Sequence, residues 1–175
     1  MVGNQVSSVL SDMEACIPAL RRYASSLLRS RQDADDLVHD CLVRALERLH
    51  TRREDVQIRV WLFAIMHNLF ISQVRRAQVR RRVEPLGEHT ELEAGLRASQ
   101  EDRLHWRDLV RALNSLPEEQ RSVVLLVTVE DLSYAEVAHA LGIPIGTVMS
   151  RLARGRERLR QLVGNEARPA LRRVQ

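Results

Sequence analysis

Apolar residues recur along most of this chain with the period of an α-helix. From Asp33 to Leu49 they fall at Leu37, Val38, Cys41, Leu42, Ala45, Leu46 and Leu49, a continuous stripe built from three- and four-residue steps. Asp33 and Asp35 stand at the start of that run, where carboxylates suit the positive end of a helix dipole. Met13, Ile17, Leu20, Tyr23, Ala24, Leu27 and Leu28 mark an amphipathic helix ahead of it. The stretch from Val60 to Val74 is uncharged and apolar on most sides, which predicts a helix in the middle of a bundle. It runs straight into Arg75, Arg76, Arg80, Arg81 and Arg82. With 15 residues that include His67, Asn68, Ser72 and Gln73, it is too short and too polar to span a bilayer.

The second half carries further helical signals. Leu104–Leu113 is the first. Pro117 followed by Glu118 and Glu119 then marks a helix start, since proline fits the first turn and acids suit the dipole. The valine-rich Ser122–Val129 is a strand by propensity alone; the start signal and the lack of a partner strand predict helix instead. Ser133–Leu141 follows, then a break at Gly142-Ile143-Pro144 and a long helix from about Ile145. Between the halves, Val83 to Asp102 holds Pro85, Gly87, Gly95 and six acids with no sustained apolar face, the pattern of a linker. The expected fold is all-α: two small helical domains, residues 1–82 and 103–175, joined by a flexible acidic linker over 83–102.

Composition narrows the chemistry. The 175 residues allow one domain, or two that each bury little core. All 27 cations are arginine, so there is no Schiff-base lysine and no lysine-bearing phosphate loop. The net charge of +4 conceals an uneven distribution: residues 1–50 sum to −1, 51–82 to +6, 83–102 to −5, 103–140 to −2 and 141–175 to +6. Two basic blocks separated by an acidic tether suggest two polyanion-facing sites. Aromatics make up only 3%, so the core must rely on Leu, Val, Ala and Ile. Phe63 and Phe70 are expected in it, and Trp61 either plugs the bundle or stacks on bases. Cys16 and Cys41 lie far apart without metal-ligand spacing and read as buried thiols. No basic stretch followed by an apolar run opens the sequence, so no secretory signal is expected and the cytoplasm is the expected location.

Residues 133–159 meet the physical requirements of a helix-turn-helix. Ala138 is small where two helices cross, and Gly142 accepts the left-handed turn conformation. Val137, Leu141, Ile143, Val148 and Leu152 supply a shared core. On the second helix Thr147, Ser150, Arg151, Arg154 and Arg158 fall at offsets 0, 3, 4, 7 and 11, one polar and cationic stripe. A recognition helix places such a stripe in the major groove, its early residues near base edges and its later arginines near phosphates.

With both halves read, the chain resembles the extracytoplasmic-function (ECF) class of bacterial sigma factors, two-domain initiation subunits of RNA polymerase. The resemblance covers about residues 10–163. It rests on DADDLVHDCLVRAL (Asp33–Leu46), on RVWLFAIMHNLFISQVRR (Arg59–Arg76), and on the segment from Leu116 to Arg160. It implies that Asp35, Asp36, Leu37, His39 and Asp40 dock on core RNA polymerase. Trp61, Asn68, Arg75 and Arg76 would lie along the −10 promoter element, with the loop before Trp61 accepting a flipped base. Thr147, Ser150, Arg151, Arg154 and Arg158 would face the −35 element. Promoter DNA, core polymerase and an anti-sigma factor, often membrane-bound, are the implied partners; no cofactor, small-molecule substrate or catalytic residue is implied. Two positions depart from the family pattern: Ser72 stands where aspartate is frequent, and Met149 replaces a polar or basic residue. Both bear on the promoter sequence.

Three rival readings explain less. A stand-alone helix-turn-helix regulator accounts for residues 103–175 but leaves Asp33–Arg82 unused. A metal-dependent phosphohydrolase draws on Asp36, His39 and Asp40, which share a helix face, yet no second ligand cluster stands near His50 or His67. A pure interaction module, such as a regulator of another sigma factor, leaves the recognition-helix stripe without a use.

Overall fold

The computed structural model describes residues 2–28, 30–53, 55–81 and 109–166. It contains α1 (Val2–Leu27), α2 (Arg31–Glu47), a 3-10 turn at Leu49–Thr51, α3 (Ile58–Arg81), α4 (Glu118–Thr128), α5 (Tyr134–Leu141) and α6 (Ile145–Glu166). Residues 109–114 are also helical, and no strand occurs among the described residues. The expected linker over 83–102 lies outside them, as do residues 104–108 of the helix expected at Leu104–Leu113.

Local chemistry sets the helix ends. Helix α2 starts two residues before the expected Asp33, because the Ser30 hydroxyl accepts the Asp33 N–H at 3.2 Å and caps the first turn. Pro117 precedes α4, and its carbonyl accepts the Gln120 and Arg121 N–H groups, each at 2.9 Å. Ser133 and Glu136 form a reciprocal capping box at the start of α5. That helix stops at Gly142, whose φ of 64° is costly for any residue with a Cβ. The Ile143 N–H then returns to the Ala138 carbonyl at 3.1 Å, closing the turn of the helix-turn-helix.

Helices α1, α2 and α3 pack pairwise into the first bundle. Leu20, Leu37, Cys41, Leu62, Phe63, Met66 and Phe70 fill its centre. The Phe63 ring meets Tyr23 edge-to-face, with centroids 5.3 Å apart. Both phenylalanines are therefore core, as are the free thiols of Cys16 and Cys41. Leu46 departs from the expected stripe: it is 51% exposed. The buried side of α2 runs through Ala34, Leu37, Val38, Cys41 and Ala45, and Leu46 lies about 100° around the helix from Ala45.

In the second half α6 packs on α4 and α5 over Val123, Leu126, Val137, Val148 and Leu152. Sequence reasoning placed the close helix crossing at Ala138. A second close approach, of α6 on α4, lies at Gly155, where an added Cβ would stand 2.7 Å from Val124 Cγ2. Gly155→Ala is expected to destabilise the fold by about 1–3 kcal/mol through overpacking, read as a lower denaturant midpoint at unchanged slope. Stability equal to that of the parent chain would show that α4 and α6 part at no cost.

The two halves dock on one another. α1 lies against α4, α3 lies along α5, and the buried apolar side chains of both halves form one continuous cluster.

Candidate nucleic-acid interface

Helix α2 turns Asp35, Asp36, His39 and Asp40 outward, all exposed. Leu37 differs from its expected role on this surface: it is 0% exposed, because it stands on the core side of the helix and supports the acidic face from beneath. Asp35 pairs loosely with Arg21 at 3.8 Å. Sequence reasoning missed two apolar members of the same outward side, Val43 and Leu46, which are 41% and 51% exposed. The signal for Val43 was present: Asp36, Asp40, Val43 and Glu47 fall at offsets 0, 4, 7 and 11.

On α3, Trp61, Asn68, Ser72 and Arg75 fall at offsets 0, 7, 11 and 14, so they share one side of the helix. Asn68, Ser72, Arg75 and Arg76 are exposed, whereas Trp61 is half-buried against the core. The Ser72 hydroxyl donates to the Asn68 main-chain carbonyl at 2.8 Å. His67 lies around the helix from this face. Burial pushes its pKa down to about 4, with the nearby Arg151 charge adding to the shift, so the ring is neutral at pH 7.

On α6, Ser150, Arg154 and Arg158 are exposed and Thr147 is half-buried. Arg154 folds back along its own helix, its Nε donating to the Ser150 carbonyl at 3.2 Å. Arg151 is held differently from the other arginines of the stripe. Its Nη2 pairs with Glu119 of α4 at 2.5 Å and its side chain is only 21% exposed. The structure thus brings together Ser150, Arg154 and Arg158 as one open face and sets Arg151 at its edge. Met149 is 52% exposed beside Ser150.

No helix of the structure is long and apolar enough to cross a membrane, among the described residues. Among those same residues, no group of three or more His, Cys, Asp or Glu side chains is arranged to hold a metal ion.

A helical bundle with an outward acidic helix, docked on a helix-turn-helix with a cationic recognition helix, defines a DNA-binding transcription protein. Comparison with known proteins sharpens that class. The family described as "Sigma2 domain of PhyR" matches residues 13–67, and "Sigma-70, region 4" matches residues 106–159. The ECF RNA polymerase sigma factor EcfG of Rhodopseudomonas palustris is 34% identical over 156 residues, covering 89% of this chain and 85% of that protein. The ECF RNA polymerase sigma factor SigM of Mycobacterium tuberculosis is 33% identical over 151 residues, 83% of this chain and 71% of that protein. The solved sigma factor RpoE of Bartonella quintana, in complex with the anti-sigma factor NepR, superposes with a TM-score of 0.78 at 29% identity. That match covers 88% of this chain and 95% of the other. The chain belongs to the ECF family of RNA polymerase sigma factors.

Proposed function

We propose that this chain joins core RNA polymerase through the outer face of α2 and directs it to promoters, reading the −35 element with α6 and engaging the −10 element with α3. The observation that carries the reading is the pairing, in one chain, of an exposed acidic helix face with an exposed recognition face at Ser150, Arg154 and Arg158. In this reading residues 1–82 form the polymerase- and −10-facing domain, 83–102 the tether and 103–175 the −35-facing domain. Asp35, Asp36, His39 and Asp40 meet a basic partner surface. Trp61, Asn68, Arg75 and Arg76 line the path of the −10 strand, where stacking and phosphate contacts offset the cost of unpairing bases. Thr147 and Ser150 face base edges, Arg154 and Arg158 face phosphates, and Arg151 joins them once released from Glu119. The chain carries no catalytic residue of its own and works in the cytoplasm. An anti-sigma factor that covers these surfaces is a further partner, in line with the NepR complex of the RpoE relative.

A footprint on promoter DNA tests this reading. Core polymerase with the chain is expected to protect both elements together, and protection of a −35-like site without polymerase would favour a stand-alone regulator. Arg154→Ala is expected to weaken DNA binding by a similar factor on all sequences and to lower the salt slope by about one unit. An unchanged slope would remove Arg154 from the phosphate contacts. Substitution of Ser150, by contrast, should change which −35 sequences are accepted.

A further inference from the structure

The exposed side of α6 has a second edge besides the cationic one. Ile145 and Met149 are 48% and 52% exposed. With Ala153, also exposed, they fall at offsets 0, 4 and 8 and line one edge of the helix. The same edge continues through Arg156 and Arg160, both exposed, at offsets 11 and 15. It is therefore apolar over the first turns of α6 and cationic beyond them. Ser150 stands about 100° around the helix from Met149, and Arg154 about 40° further on. Ser150 thus lies between an apolar edge and a cationic one, and the two edges bound the open face of the recognition helix.

Few polar side chains near the start of α6 can reach a base. Gly146 has no side chain, and Thr147 is half-buried. The Ser150 hydroxyl donates to the Thr147 carbonyl at 3.1 Å, so toward a base it acts as an acceptor. A helix with its side chains is about 10–12 Å across, and the major groove is about 12 Å wide. A recognition helix therefore fills the groove, and its apolar edge loses water there as its cationic edge does. The base pairs show donors and acceptors in that groove, and one apolar group, the C5-methyl of thymine. Met149 has no donor, and its thioether is a weak acceptor. Against the cytosine amino group or a purine N7 it would leave a polar group without a partner, which is costly. Against a methyl, both surfaces are apolar, and the unbranched, polarizable side chain of methionine adapts to the shape it meets.

We propose that Ile145 and Met149 form a thymine-reading edge of the recognition helix, with Met149 seated on the C5-methyl of a thymine in the −35 element. Ile145, one turn nearer the start of α6, shields that contact from water. The edge separates thymine from cytosine, which shows an amino group in place of the O4 acceptor and has no methyl. The charges around the edge favour DNA over an apolar protein groove as its occupant. Arg156 and Arg160 extend the edge itself, and Arg154 flanks it across Ser150, so cations stand where phosphates border a groove. This inference deepens the promoter reading above and rests on it.

Removal of the methyl alone tests the edge. Core polymerase joined to the full-length chain first selects −35 sequences from a randomised promoter library, and the parent chain is expected to enrich thymine on one strand or the other. Deoxyuridine, which keeps the pairing and O4 but lacks the methyl, then replaces each enriched thymine in turn. At the position that Met149 contacts, affinity is expected to fall about 3–5-fold, the factor for returning one methyl-sized group to water. Met149→Gln is expected to bind the thymine and deoxyuridine duplexes alike, and Met149→Leu, still apolar, to keep the difference. Met149 is half open to solvent, so both variants should melt as the parent does. Equal affinity of the parent for thymine and deoxyuridine at every position overturns the thymine edge and leaves its apolar side chains to a protein partner. A methyl effect that survives in Met149→Gln overturns the assignment to Met149. Failure of the parent to enrich any −35 sequence overturns the promoter reading, and the edge falls with it.

Discussion

Truncation of Phe63 to alanine is expected to cost about 3–5 kcal/mol, the range for a large aromatic removed from a packed core. That is a large share of the 5–15 kcal/mol by which domains are usually stable. Phe63 is 0% exposed, meets Tyr23 edge-to-face at 5.3 Å, and lies 5.7 Å beneath the Arg59 guanidinium. Its loss opens a cavity at the point where α1 and α3 together support the contact with the second half. Thermal or denaturant unfolding followed by circular dichroism would measure the cost, with Leu46→Ala as the comparison. Leu46 is 51% exposed, and surface truncations of this kind stay within about 0.5 kcal/mol. Equal costs for the two variants would mean that the bundle does not pack around Phe63.

Asp36→Arg is expected to abolish association with core polymerase while leaving stability nearly unchanged. Asp36 is exposed in the middle of the outward face of α2, between Asp35 and Asp40. Reversing its charge sets a cation against the basic surface proposed to receive that face, and like charges brought together across an interface cost several kcal/mol. Within the free chain the substitution touches no core residue, so the melting temperature should move little. Pull-down on immobilised core polymerase, alongside a melting curve, separates the two effects. Retained binding would move the docking surface off α2; lost binding with a lowered melting temperature would leave the surface undecided and point to Asp40→Arg as the next variant.

The helical architecture was legible in the sequence because helices announce themselves over short distances. A three- and four-residue apolar step, a proline with acids at a start and a glycine at a stop all act within one or two turns. That is why α4 could be read as helix despite its valines, and why the turn at Gly142 stands where it was expected. The exposed helix faces were legible to the same extent: Asp36, His39 and Asp40 on one, Ser150, Arg154 and Arg158 on another.

What could not be read is what one element does to a distant one. Leu37 looked like part of an acidic docking motif, yet packing of α2 against its neighbours buries it completely. Arg151 belongs to the recognition stripe by offset, but Glu119 on another helix draws it aside. Gly155 reads as a mere interruption in an arginine-rich helix until Val124 is found against it. Glu130 was the least visible of all. In the sequence it is one acid in a short turn, where a solvated side chain is the ordinary expectation. Its carboxylate is instead buried and pairs with Arg22 and Arg59, which stand 108 and 71 residues away, and no local pattern reports a pairing over that span.

Transcription in vitro, with core polymerase, this chain and a library of genomic promoter fragments, tests the central claim most directly. The account predicts specific transcripts that appear only when the chain is added, start downstream of a shared pair of −35 and −10 sequences, and vanish with Asp36→Arg. Core polymerase that starts no specific transcript in the presence of the parent chain would contradict it.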